Sequence, residues 1–360
     1  MQWSYPILRV GGTEIRIHLT FLLLLAWIGI AYFQEGGTSA AIKGVGFIGA
    51  VFACVVLHEL GHAAAASRYG IRTPKITLLP IGGVAELERL PEKPSEEIVV
   101  ALAGPLVNVV IAFLLVVALG TTVGLDALTS MDNPHVAFMA RLAAVNIWLV
   151  LFNLIPAFPM DGGRVLRALL ATRYNRVRAT EIAGIVGQFA AFAFGFIGLV
   201  AGNVLLIFVA IFVYLAATAE TQAMGLEAAA RAVNVRDVMI SRFESLPATA
   251  TLDEAAQALL RTTQHEFPIV DGDGKLRGVL TRDGLVAGLQ QRGGQTPVIE
   301  AMAANIPVVH DYEKLIKALE PLKKGAAPAV GVVDAKGRLV GYIIIENIGE
   351  LMLLRSAVAS

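Results

Sequence analysis

His58-Glu59-Leu60-Gly61-His62 is the most chemically explicit stretch of the sequence. On a helix, positions i and i+4 share a face. Two neutral imidazoles at that spacing can hold one zinc ion, with the glutamate between them placed as a general base. The surrounding residues, VFACVVLHELGHAAAA, are apolar. Ionisable groups in such a segment are costly and as a rule functional. Burying Glu59 and two histidines with no metal would leave polar groups unsatisfied. Catalytic zinc takes three protein ligands and keeps one position open. The candidate third ligand is Asp161, 99 residues after His62, in NLIPAFPMDGGR at 153–164. Alone, that segment reads as an ordinary helix-ending turn, where Asp and Gly are common. Paired with the histidine motif, it supplies the missing carboxylate, and its prolines and glycines break the helix so that the carboxylate can turn inward.

The elements that must position these groups are read from the rest of the chain. Its 360 residues are 56% hydrophobic and 16% charged, with mean hydropathy +0.67. Soluble domains run near about 45–50% apolar and about 25% charged. The composition therefore argues against a purely soluble protein and excludes disorder and collagen. Twenty-nine basic residues balance 29 acidic ones, so no basic excess points to nucleic acid. The single cysteine, Cys54, excludes an intrachain disulfide framework. Charge is uneven: 27 of the first 224 residues are charged, against 31 of the last 136. The break predicts an integral membrane domain over 1–224, a linker over 225–234 and a soluble domain over 235–360.

About 20 apolar residues cross a bilayer as a helix. Six stretches qualify or nearly do: 18–34, 44–67, 97–120, 136–156, 183–201 and 203–220. Basic residues gather before the first span, between the second and third, and between the fourth and fifth. The positive-inside rule then puts both termini and the soluble domain in the cytoplasm. The N-terminus lacks the pattern of a removable signal peptide. Residues 5–17 read as a β-hairpin around Gly11–Gly12. Residues 71–88 read as an extended segment beside the second span, with a surface connector as the alternative.

The soluble part repeats itself. Asp271, Gly274, Lys275, Leu276 and Gly278 recur 63 residues later as Asp334, Gly337, Arg338, Leu339 and Gly341. An amphipathic helix precedes each block, TLDEAAQALLRTT at 251–263 and YEKLIKALEPLKK at 312–324. Each unit reads strand, helix, strand, turn, strand, helix, and two such units bury a shared face.

Two resemblances follow from these residues. HELGH at 58–62 and NLIPAFPMDGG at 153–163, in that order on separate spans, resemble the site-2 protease family of intramembrane zinc metalloproteases. Its Ala-Gly-Pro-x-x-Asn pattern is present as Ala103 to Asn108. VRDVM at 235–239, FPIVDGDGKLRGVLTRDGL at 267–285 and the diverged copy at 329–348 resemble a tandem pair of cystathionine-β-synthase (CBS) domains, with copies at about 235–292 and 296–354. Together they imply an α-helical integral membrane protein with about six transmembrane helices and short membrane-associated β segments, plus a soluble α/β CBS pair. They imply that His58, His62 and Asp161 bind Zn2+ and that Glu59 is the general base. Asn108 is expected to orient substrate or stabilise charge, with an interhelical hydrogen bond as the alternative; Asn146 is expected to make such a bond. The implied activity is hydrolysis of peptide bonds within or near a span of single-span membrane-protein substrates, in the lipid bilayer of a prokaryotic cell membrane. The implied role of the CBS pair is regulatory, through adenine nucleotide or as a homodimerisation module. The ribose-reading pattern Gly-x-x-(Ser/Thr)-x-x-(Asp/Asn) is half-complete in each copy: Thr281 is present but Gly284 ends the first, and Asn347 is present but Ile344 replaces the hydroxyl in the second. A CBS-regulated metal transporter and an inactive binding protein are the rival readings. Glu59 is superfluous for transport, and the intact His, His, Asp and Glu set argues against inactivity.

Overall fold

The computed structural model describes residues 3–123 and 134–351. The chain divides into two compact units, Met1–Gln222 and Ala223–Ser360. The last residues of the second expected CBS copy, 352–354, and the tail to 360 lie outside the described residues.

In the first unit, β1 (Ser4–Val10) and β2 (Thr13–His18) form the antiparallel hairpin expected over 5–17. Gly11 and Gly12 take positive φ at its turn, a conformation that glycine adopts without steric cost. Helix α1 (Leu19–Ser67) follows, and it is not one straight rod. Gly36 and Gly37 leave helical geometry, with Gly37 at φ +69°. The two arms fold back on each other: the rings of Phe21 and Phe52 lie 4.4 Å apart, and Gly44 sits against Tyr32. This hairpin corresponds to the two stretches expected at 18–34 and 44–67.

After α1 the chain adds β3 (Lys75–Leu79), parallel to β2, and β4 (Gly82–Glu86), antiparallel to β3. The sheet order is β1-β2-β3-β4. Within 71–88, therefore, β3 has both edges paired, and β4 is the edge strand. Helix α2 (Pro94–Val123) packs against α1, α3 (Pro134–Asn153) and α4 (Asp161–Ala171). Helices α5 (Arg176–Val200) and α6 (Val204–Ala232) pair as a hairpin through Gly202 and Asn203. Four helices among the described residues are long and apolar enough to cross a membrane: α1, α2, α5 and α6; the apolar part of α3, Phe138–Asn153, is shorter. Small residues sit where helices meet, since Ala66, Ala157, Ala168, Ala179, Ala183 and Ala217 are fully buried. Such residues let helices approach when lipid removes the hydrophobic drive between them. Large side chains point outward instead, among them Trp27, Trp148, Phe189, Phe192, Phe196 and Phe208. An exposed apolar surface of that extent suits a lipid surrounding.

The second unit contains the expected repeat. The first copy runs β5 (Leu246–Pro247), α7 (Leu252–Arg261), β6 (Glu266–Val270), β7 (Leu276–Thr281) and α8 (Arg282–Arg292). The second runs β9 (Val308–His310), α9 (Ile316–Lys323), β10 (Val330–Val333) and β11 (Leu339–Ile343), then a helix over 345–351. A short β8 (Ala303–Ala304) completes the first sheet. The 63-residue offset holds at the level of single hydrogen bonds. Asp271 Oδ1 accepts from the backbones of Asp273 and Lys275, and Asp334 Oδ1 accepts from those of Lys336 and Arg338. Gly274 and Gly337 share φ +76°. Each copy has its own apolar core, around Leu252 and Phe267 in the first and Leu319 and Ile343 in the second. Val279, Ala329 and Tyr342 form a further cluster that joins them.

Candidate metal centre

The second arm of α1 carries His58 and His62 one turn apart on its inner face, both buried. After α3 the chain turns through 154–160 and restarts as α4, with Asp161 as its first residue. This restart turns the carboxylate toward the histidines. Asp161 Oδ2 lies 3.2 Å from His58 Nε2 and 3.2 Å from His62 Nε2, and the two Nε2 atoms are 3.1 Å apart. The three atoms form a nearly equilateral triangle. Ligand atoms about 2.0–2.1 Å from a tetrahedral zinc ion stand about 3.3 Å apart, close to these edges.

The outer faces of the imidazoles show why the triangle suits a cation. His62 Nδ1 lies 2.7 Å from the Val100 carbonyl, which can only accept, so Nδ1 carries the hydrogen. His58 Nδ1 lies 2.5 Å from Asn108 Oδ1. In this tautomer the two Nε2 atoms face each other and the Asp161 carboxylate, which is the donor set of a metal site. Gly104, on α2, faces the same place. A Cβ on it would lie 2.6 Å from His58 Nε2 and closer still to His62 Nε2. Glycine alone leaves that volume open, which accounts for the glycine of the Ala103–Asn108 motif. Among the described residues, His58, His62 and Asp161 are the group able to ligate a metal.

A cavity of about 410 Å³ opens on this triangle. It is lined by the three ligand-type residues, by Glu59 and Arg164, and by β4 from Gly82 to Ala85. Gly83 approaches Glu59 so closely that a Cβ would stand 2.7 Å from Glu59 Cγ. Edge strand, glutamate and triangle thus share one chamber. Arg164, one of the basic residues between the fourth and fifth expected spans, is placed there by the first turn of α4, with Nη1 4.0 Å from Asp161 Oδ1.

Asn108 does not face that chamber. It is fully buried, with Oδ1 at His58 and Nδ2 donating to Asn146 Oδ1 at 2.7 Å. One end of the amide thus meets a ligand-type histidine, and the other makes the interhelical bond given as the alternative. Asn146 makes the expected interhelical bond. Cys54 packs beside it, with Sγ 3.5 Å from Asn146 Nδ2.

In the second unit, Thr281 is the N-cap of α8, its hydroxyl accepting from Gly284 N at 3.1 Å. Asn347 Oδ1 is buried and has no hydrogen-bond partner among the described residues. A cleft of about 540 Å³ is lined by Ile240, Arg242, His265, Glu266 and Tyr342. Burial pushes the Tyr342 hydroxyl up to about 12, and burial together with Glu346 raises Glu266.

Comparison with known proteins gives this architecture its class. The family model for peptidase family M50 matches residues 46–136 and 119–197, and the CBS domain model matches 235–290. Zinc metalloprotease MJ0392 of Methanocaldococcus jannaschii is 33% identical over 281 residues, covering 78% of each chain. Stage IV sporulation protein FB of Bacillus subtilis is 33% identical over 118 residues, 32% of this chain and 38% of its own. The solved site-2 protease from Methanocaldococcus jannaschii aligns with 36% identity and a TM-score of 0.47, over 61% of this chain and 95% of that one. The chain belongs to peptidase family M50, the site-2 protease family of zinc metalloproteases, and carries a CBS module after the membrane unit.

Proposed function

We propose that this chain is an intramembrane endopeptidase that hydrolyses a peptide bond within or near the span of a single-span membrane protein. The observation that carries the reading is the shared chamber: His58, His62 and Asp161 converge 3.1–3.2 Å apart inside an apolar helical unit, with Glu59 beside them. Those three residues would hold one Zn2+. When bound, zinc supplies Lewis acidity that polarises the scissile carbonyl and brings water within reach of ionisation near neutral pH. Glu59 takes the proton from the attacking water and delivers it to the leaving amine. Asn108 and the Val100 carbonyl hold the two imidazoles in the tautomer that keeps Nε2 free for the metal. β4 offers a strand edge to an unwound substrate, which pairs with it by strand addition and presents its backbone to Glu59.

The two arms of α1, together with α2, α3, α5 and α6, make six crossings in this reading. Both termini and the CBS pair then lie in the cytoplasm of a prokaryotic cell, with the site nearer that side. The CBS unit, over about 235–354, regulates the protease. It does so as a homodimerising module that takes an adenine nucleotide, with Thr281 and Asn347 at the ribose-reading positions. Thr281 accepts from Gly284 N as the N-cap of α8 and keeps its O–H to donate to a ribose.

The test needs no known substrate to begin. Detergent-purified wild type is expected to carry about one zinc per chain, and His62→Ala and Asp161→Ala less. Glu59→Gln should retain zinc and cleave none of a panel of single-span substrates in liposomes that wild type cleaves. Wild type without zinc after metal-replete expression, or cleavage by Glu59→Gln, would overturn the reading.

A further inference from the structure

Six residues after Asp161, α4 buries an arginine. Arg167 is 1% exposed and ranks with the largest fully buried side chains. A guanidinium in such a place needs partners for its donors, and it has them. Nε and Nη2 reach Glu97 Oε1 at 2.7 and 2.6 Å, and Nη1 reaches Glu220 Oε1 at 2.6 Å. Its Cζ lies over the Phe158 ring, 5.2 Å from the centroid. Arg176, at the start of α5, closes the network by donating to Glu97 Oε2 at 3.1 Å and to the Pro91 carbonyl at 2.6 Å. Two cations meet two anions, so the cluster is neutral as a whole. It joins α2, α4, α5 and α6.

What the cluster anchors gives it a function. Glu97 is three residues before Val100, on the same turn of α2, and Val100 supplies the carbonyl that holds His62. One turn of α2 therefore grips both halves of the ligand set: His62 directly, and Asp161 through Arg167 and the helix they share. Phe158, beneath the guanidinium, belongs to the segment leading into Asp161 and packs on Ala183, Ala217 and Leu166. The entry to α4 and its interior are thus clamped to one reference. We propose that Arg167 is a positioning residue for the metal centre: by locking α4 onto the Glu97–Val100 turn, it sets Asp161 at ligating distance from His58 and His62. The inference rests on the zinc reading above and adds to it a residue outside the chamber.

An arginine is suited to this task because its planar fork meets two carboxylates at fixed angles, and lysine offers only a point charge. Partners that orient metal ligands typically carry about 10–100-fold in metal affinity. The experiment uses the full chain in detergent, as wild type, Arg167→Met, Arg167→Lys and Glu220→Gln. It measures zinc loss to excess chelator and the visible spectrum of the Co2+-loaded protein, with helicity and size-exclusion profile as controls for folding. Arg167→Met is expected to keep its helicity, lose zinc about tenfold faster and show a weakened cobalt band. Arg167→Lys should recover part of both, which a loss of packing alone would not predict. Glu220 stands at a half-exposed position and leaves the Glu97 pair intact when replaced. Glu220→Gln should therefore shift zinc loss in the same direction by less, and it decides the matter alone if Arg167→Met does not fold. Wild-type zinc loss and cobalt spectrum in Arg167→Met, or in Glu220→Gln where that variant must decide, would overturn the inference alone. A wild type that holds no zinc would overturn the metal reading and this inference with it.

Discussion

Asn108 and His58, fifty residues apart, meet at 2.5 Å, and the direction of that hydrogen bond is set a helix away. Asn146 Nδ2 donates to the Leu142 carbonyl at 2.8 Å, an acceptor that cannot reverse. Asn146 must then present its oxygen to Asn108 Nδ2, and Asn108 its oxygen to His58 Nδ1. A backbone carbonyl on α3 thereby fixes the tautomer of a histidine on α1.

That relay predicts a graded pair of effects. Asn108→Leu should weaken zinc binding by about 10–100-fold, because His58 loses the acceptor that holds its hydrogen outward. Asn146→Leu should do less, since Asn108 can still turn its oxygen to His58. Competition with a calibrated chelator reads both. Equal affinity in Asn108→Leu and wild type would remove the relay from the account of the site.

Gly104 makes a sharper prediction. A methyl group there would occupy space 2.6 Å from His58 Nε2 and nearer still to His62 Nε2. Gly104→Ala should fold, because alanine is a better helix former than glycine by about 0.8–1.0 kcal/mol. It should nevertheless carry little or no zinc. Metal analysis beside circular dichroism separates the two effects; full zinc occupancy in a folded Gly104→Ala chain would mean that the histidines hold metal elsewhere.

The ligand set was legible because its spacing is chemical: i and i+4 on an apolar helix, and a carboxylate after a proline-glycine break. The CBS repeat was legible because the 63-residue offset recurs in the turn residues that fix its geometry. Val100 was not legible, since a backbone carbonyl leaves no mark in residue identity. Arg167 was hidden for another reason. It belongs to a basic run that signals topology by composition, and only the fold shows Glu97 and Glu220 arriving at its guanidinium from distant helices. The order of the strands was hidden too. Alternating apolar residues over 71–88 mark extended chain, but strand order depends on where β2 docks, and β2 takes the free side of β3.

The second unit supplies a pH-dependent expectation. Burial and the nearby Glu346 carboxylate raise Glu266 above the ordinary glutamate value in the folded state. A raised carboxylate binds its proton more tightly folded than unfolded, so its ionisation costs stability. The cost is absent below the unfolded value of about 4.3 and grows as pH rises through the folded value. Glu266→Gln should therefore slow local opening of β6 and β11 at pH 7 by about twofold, a small effect for a half-exposed group. At pH 4 it should change nothing. Hydrogen exchange of the full chain, corrected for intrinsic rates, checks both; a Gln variant less protected at pH 7 would reverse the sign.

The edge of β4 leads to a prediction about substrate. β4 pairs with β3 on one side only, with Thr77 opposite Val84 and Ile76 opposite Ala85. Along a strand, successive amides point to opposite edges. One of Val84 and Ala85 thus donates inward to β3, and the other faces the substrate side. Proline removes that donor. Val84→Pro and Ala85→Pro should therefore differ. The inward variant loosens the sheet and lowers stability. The outward variant keeps zinc and stability but raises KM, with kcat/KM falling up to about tenfold for the one lost hydrogen bond. Proline at 76–79 cannot make this distinction, because β3 donates to strands on both sides. Cleavage of a single-span substrate, measured beside zinc content and thermal stability, separates the two arms. If neither proline alters cleavage, the substrate backbone does not pair with β4.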